Sequence, residues 1–190
     1  MMEEKKERKT DRRTLYTQMV IKDAFLKLKE TTSYNDITIA ALCREAEISR
    51  GTFYLHYDNV RQVLDAVLDD VLSSVHGLLE QLDSTDPAGG DCSWPLCRFL
   101  RENKKYQSVF FDDGLYSLVV DRLAAASKEG FVIRMLERTR LSREAIEALF
   151  YFQISGCLAV SKRNASEGDA RWEDIQCAID GMLKAGIEKF

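Results

Sequence analysis

The sequence predicts an all-α protein. An N-terminal three-helix helix-turn-helix domain is joined by a long helix to a larger C-terminal helical domain. Three observations carry this expectation. Hydrophobic residues make up 45% of the 190 residues and charged residues 31%, which is a globular composition. Only 2 Pro and 10 Gly are present, too few turn formers for a many-stranded sandwich or barrel. Apolar residues recur at helical spacing along most of the chain. The expected division is a flexible polar arm over 1–13, the helix-turn-helix over 14–60 and the helical domain over 61–190.

The elements follow in order. Ile21, Ala24, Phe25 and Leu28 form one stripe on a first helix, about Thr14 to Glu30. The polar run Thr31-Thr-Ser-Tyr-Asn35 breaks it. Thr38 is the expected N-cap of a second helix, Ile39 to about Ala46, with Leu42, Cys43 and Ala46 inward. Glu47-Ile-Ser49 makes a short turn, and a third helix runs from Arg50 to about Tyr57 with Phe53 and Tyr57 as its core pair. Helix, short turn, helix is the outline of a helix-turn-helix.

Asp58 or Asn59 then caps a long helix to about Leu82, striped by Val60, Val63, Leu64, Val67, Val71, Leu78 and Leu82. Residues 83–91 read as a loop. Further helices are expected over about 93–102, 104–111, 114–128, 130–139, 142–164 and 170–188. On the helix of 142–164, Ile146, Leu149, Phe150, Ile154, Cys157 and Leu158 make one face. Ala145, Ala148, Phe152, Ser155, Gly156 and Ala159 make a second, small and uncharged. A helix with no wet face is buried on both sides. The second side therefore meets either another helix of the same chain or a second subunit. Candidate dimer residues are Phe152, Ser155, Gly156 and Ala159, with Ile175, Ile179, Met182 and Leu183 on the last helix.

The net charge is −4, which excludes a uniformly basic coat. It is unevenly spread. Residues 1–61 hold 12 Lys+Arg against 10 Asp+Glu, a net of +2, and 62–190 hold 15 against 21, a net of −6. Five cysteines (Cys43, Cys92, Cys97, Cys157, Cys177) without a secretion signal read as reduced thiols in the cytoplasm. Neither their spacing nor the two His make a metal site, and no cofactor is expected. No nucleophile, base and orienting group fall into a catalytic pattern, so no enzyme is expected. No apolar run approaches a membrane span.

The stretch Ile37-Thr-Ile-Ala-Ala-Leu-Cys-Arg-Glu-Ala-Glu-Ile-Ser-Arg-Gly-Thr-Phe-Tyr-Leu-His-Tyr57 resembles the helix-turn-helix of TetR/AcrR-type transcriptional regulators. The run Ser49-Arg-Gly-Thr-Phe-Tyr-x-His-Tyr57 is a specific signature of that family, and the match covers about residues 14–64. The resemblance implies roles. Thr38 caps the second helix and touches a phosphate, and Ser49 opens the reading helix. Arg50 and Thr52 face the major groove, where Arg suits guanine O6 and N7. Gly51 lets the backbone approach DNA, Tyr54 places its hydroxyl on a phosphate, and His56 contacts backbone or bases. Two positions depart from the pattern. Glu47 stands where the family often has Gly, and Val60 where it usually has a phosphate-binding Lys, for which the adjacent Arg61 is a substitute. The cations of the arm, Lys5, Lys6, Arg8, Lys9, Arg12 and Arg13, either reach DNA or stay solvated among Glu3, Glu4, Glu7 and Asp11.

For the back domain the resemblance implies a dimer and a small-molecule effector. Pocket candidates are His76, Trp94, Phe99, Tyr106, Phe110, Phe111, Tyr116, Met135, Tyr151 and Phe152, although an aromatic set at helical spacing is more often plain core and a histidine there more often solvent-facing. The segment from Phe99 to Gly114 looks like a TetR subgroup that includes a dihydroxyacetone kinase activator. The expectation is a homodimeric, cytoplasmic, sequence-specific DNA-binding regulator. It would be a repressor released from a palindromic operator by an effector. The alternative is a helical interaction module that works through a protein partner.

Overall fold

The structure is a computed structural model. It describes residues 12–82 and 95–189; within that range the side chains of 76–82, 95, 169, 184, 187 and 188 lie outside the description. The expected loop 83–91, Trp94, the side chain of His76 and the arm up to residue 11 therefore lie outside the described residues. All regular structure among the described residues is helical, as the sequence predicts. The chain divides into two units, Met1–Val67 and Leu68–Phe190.

In the first unit, α1 spans Arg12–Lys29 and buries Ile21, Ala24, Phe25 and Leu26. It starts two residues before the expected Thr14, so Arg12 and Arg13 belong to the helix and not to a frayed arm. A single 3-10 turn, Tyr34–Asp36, follows. The helix α2 spans Ile39–Glu45 and buries Leu42 and Cys43. The helix α3 spans Arg50–Tyr54, three residues shorter than the expected reach to Tyr57. The reason is local. The next helix, α4 (Val60–Leu82), is capped by Asn59, whose side chain accepts from the Gln62 N–H at 3.0 Å. The Gln62 carboxamide turns back to bond both the backbone N–H and the carboxylate of Asp58, at 2.8 and 2.9 Å. That reciprocal cap fixes the chain at 58–59 and leaves no room for another turn of α3.

The core of this unit is Ile21, Phe25, Leu42, Phe53, Val63, Leu64 and Val67, each fully buried. Burying a Phe or Leu side chain contributes about 1.5–3 kcal/mol. Phe53 and Tyr57, the expected core pair, are both buried.

The division between units falls within α4, after Val67. In the second unit, α5 (Pro95–Glu102) is followed by a 3-10 turn, Lys104–Tyr106, and the one-turn α6 (Gln107–Phe110). The helix α7 spans Tyr116–Arg138 without a break. The sequence suggested two helices meeting near Gly130. One glycine weakens a helix by only about 1 kcal/mol, and burial of Val132 and Met135 against Ile146 outweighs it. The helix α8 spans Arg143–Arg163, capped by Ser142, and α9 spans Asp169–Glu188. Along α8, Ile146, Phe150, Ile154, Cys157 and Leu158 are buried as expected. Leu149 is not: it is 39% exposed, because it lies at the edge of that stripe beside the outward Phe152.

Candidate nucleic-acid interface

The α2–α3 turn sets the site. The Ile48 N–H bonds the Cys43 carbonyl at 2.9 Å and the Glu47 N–H bonds the Arg44 carbonyl at 3.3 Å. This pair of bonds is a Schellman closure, with Glu47 in the left-handed position at φ 53°. Among the described residues it is the one non-glycine residue with positive φ. The departure noted at Glu47 therefore falls where the backbone asks for glycine.

Both helices of the motif are capped by hydroxyls. Thr38 Oγ1 accepts from the Ala41 N–H at 3.1 Å. Ser49 Oγ accepts from the Thr52 N–H at 3.0 Å and lies 2.9 Å from Thr52 Oγ1. Ser49 and Thr52 are thus joined by two hydrogen bonds, one to the backbone N–H and one between the hydroxyls, and Thr52 is half-buried. Lys27 on α1 forms an ion pair with Glu45 on α2, which ties the first helix to the end of the second.

The outward side chains of α3 are few. Arg50 is exposed. Tyr54 is 56% exposed, its ring held edge-on by buried Phe53 at 5.6 Å. Gly51 is exposed between them. His56 lies beyond the helix and not inside it: its N–H bonds the Phe53 carbonyl at 2.9 Å, and the residue is half-buried in the turn. Arg61 pairs with Asp65 at 3.3 Å, one turn along α4. It also acts on Tyr34, whose phenol burial pushes up and Arg61 pulls back down. Its charge is thus shared with its own chain, although an exposed pair of this kind opens at little cost. Sequence reasoning gave Leu55 no role, yet it is 80% exposed. A helical wheel centred on Phe53 places it on the outward side and was the signal for it.

The pocket candidates of the second unit differ in burial. Phe99 and Tyr106 stack at 5.6 Å, with Phe99 buried. Phe110 is core. Tyr116 and Tyr151 are 37% and 40% exposed, and Lys128 lies over the Tyr151 ring at 5.8 Å. A shallow open recess is lined by Cys97, Arg101, Gln107, Phe111, Ser161, Asn164 and Trp172 among others, so that of the described pocket candidates Phe111 lines it. Its enclosed space is only about 10 Å³, room for about one water and not for a ligand. Of the candidate dimer residues, Phe152 and Met182 are 65% and 62% exposed, and Gly156 and Ala159 are exposed. Ser155, Ile175, Ile179 and Leu183 are half-buried.

No family model matches the chain. It is 39% identical over 67 residues to the uncharacterized HTH-type transcriptional regulator YxbF of Bacillus subtilis (strain 168), a stretch that covers 35% of this chain and 18% of that protein. It is 27% identical over 108 residues to the HTH-type dhaKLM operon transcriptional activator DhaS of Lactococcus lactis subsp. lactis (strain IL1403), covering 54% of this chain and 53% of that one. The matches thus span about half or less of these curated relatives. The chain is similar to helix-turn-helix transcriptional regulators, which are not enzymes. A solved structure, of the dihydroxyacetone kinase operon activator DhaS, matches 93% of this chain and 98% of its own with a TM-score of 0.55. At 20% identity that likeness speaks for the all-α fold alone. No helix among the described residues is long and apolar enough to cross a membrane.

Proposed function

We propose that this chain is a homodimeric, sequence-specific DNA-binding transcriptional regulator of the TetR/AcrR type. The observation that carries the reading is the α2–α3 turn. A left-handed closure at Glu47 and a serine cap set a short helix with its aromatic pair buried and Arg50 and Tyr54 turned outward. A cation and a phenol on one small surface suit base edges and phosphate oxygens. The similarity to helix-turn-helix regulators supports it.

The test is selection of bound sequences from a random duplex pool with the full chain, followed by binding at several salt concentrations. The expected product is a palindrome whose half-sites are about one or a whole number of DNA turns apart. Affinity for it should fall steeply with salt as counterions are released. No enriched sequence, and no shift of any duplex at low salt, would sink the proposal.

Dimerisation is read from α8 and α9. Gly156, Gly181 and Gly186 have open space where a Cβ would stand, and Phe152 and Met182 are exposed on the same two helices. Glycines that nothing inside the chain requires, beside exposed large apolar side chains, suit close approach of a second copy.

Two readings of regulation follow. In the first, the chain is a repressor that a small-molecule effector releases. The second is activation through a protein partner. A specific observation favours it: the recess found among the described residues is too small for a ligand. The 27% identical relative is named an activator, in keeping with it. Deleting the gene and following transcription from the selected operator separates them: the message rises for a repressor and falls for an activator.

A further inference from the structure

Two neighbouring residues of the reading surface have no role inside the chain. Leu55 is 80% exposed, more than any other exposed large apolar side chain among the described residues. Gly51 lies one turn earlier. No glycine among the described residues has positive φ, so Gly51 is not required by backbone conformation. A Cβ there would meet only Ser49 Oγ at 3.6 Å, an ordinary contact, so it is not required by packing either. Glycine weakens a helix relative to alanine, and an exposed leucine contributes nothing to the core.

Leu55 keeps helical backbone angles as the cap of α3, and its N–H bonds the Gly51 carbonyl at 3.3 Å. Helical geometry therefore places Gly51 and Leu55 about 40° apart on one face, each about 160° from the buried Phe53. Bare backbone and an isobutyl group stand side by side at the point of the helix most remote from its core.

We infer that Gly51 and Leu55 form an apolar step that receives the 5-methyl group of a thymine in the major groove, which makes Leu55 a specificity-determining residue. The inference rests on the DNA-reading proposal above. The thymine methyl is the apolar group that a base pair presents in that groove. Leucine neither donates nor accepts a hydrogen bond, so it cannot read the polar edges of the other bases. The missing Cβ at Gly51 lets the base edge come close to the backbone, and Leu55 then covers the methyl.

The experiment uses the full chain and its selected operator, with each thymine replaced in turn by deoxyuridine, which removes only the methyl. At one thymine in each half-site the replacement should weaken wild-type binding about fourfold, the equivalent of one buried methyl. The same replacement should leave Leu55→Ala nearly unaffected, a coupling between the two deletions. Gly51→Ala should keep or raise the unfolding midpoint and lose binding to that operator. Equal sensitivity of wild type and Leu55→Ala at every thymine overturns the inference while the DNA-reading proposal stands. Failure of the wild type to bind any duplex overturns both.

Discussion

Glu47 is the residue where conformation and electrostatics meet. At φ 53° an L-residue with a Cβ is strained by about 1–2 kcal/mol relative to glycine. The position was visible in the sequence as an unusual residue in the turn, strained if the turn needs a positive φ, and the structure places it at that angle with closing bonds from Ile48 and Glu47. We expect Glu47→Gly to raise stability by about 1 kcal/mol, read as a higher urea midpoint. Glu47→Ala keeps the strain and removes the charge, so it should not gain that stability. If the two variants have the same midpoint, the strain is absent. On DNA both should bind more tightly than wild type, because each removes an anion from the turn. Arg50 gives the second residue-scale prediction. If Arg50 reads a base, Arg50→Ala should cost about 1–3 kcal/mol on the selected operator and relax specificity at one position. Tyr54→Phe should instead weaken selected and random duplexes alike, since a phosphate contact carries no sequence; a loss confined to one base pair contradicts that role.

At the scale of elements, sequence and structure agree where local chemistry decides and part where packing does. Thr38 was legible as a cap because it is a hydroxyl before an apolar run, and Ser49 as the residue that opens the third helix; both accept a backbone N–H three residues on. The end of α3 was not legible. It depends on the Asn59 and Gln62 cap of the following helix, a reach of side chains that periodicity does not encode. His56 accordingly moves from the reading helix to the turn. The unbroken α7 has the same kind of cause, a weak local breaker overridden by buried Val132 and Met135. The α3 cap carries a prediction. Ser49→Ala removes the acceptor for the Thr52 N–H and the partner of the Thr52 hydroxyl, and should cost about 1 kcal/mol. Ser49→Asp restores an acceptor and should recover most of the stability, but should bind DNA less well for its charge. If Ser49→Ala is as stable as wild type, the cap contributes nothing to the domain.

At the scale of the molecule, the net of −4 is split between a slightly basic first third and an acidic remainder. So small a basic excess leaves a single reading head with few phosphate contacts, and affinity would have to come from two heads acting together. The outward face of α8 and α9 is where the second copy would sit, and it can be tested without disturbing the monomer. A Cβ at Gly156 would meet nothing within 4 Å, so Gly156→Arg fits an isolated chain and improves its helix propensity. The expected outcome is a folded monomer by sedimentation, with an unfolding midpoint no lower than that of a chain held monomeric by dilution. Its binding to a full palindrome should drop to that for a single half-site, because the effective concentration of the second head is lost. A wild-type chain that sediments as a monomer at micromolar concentration would overturn the dimer, and a Gly156→Arg variant that remains dimeric would place the partner surface elsewhere than on α8.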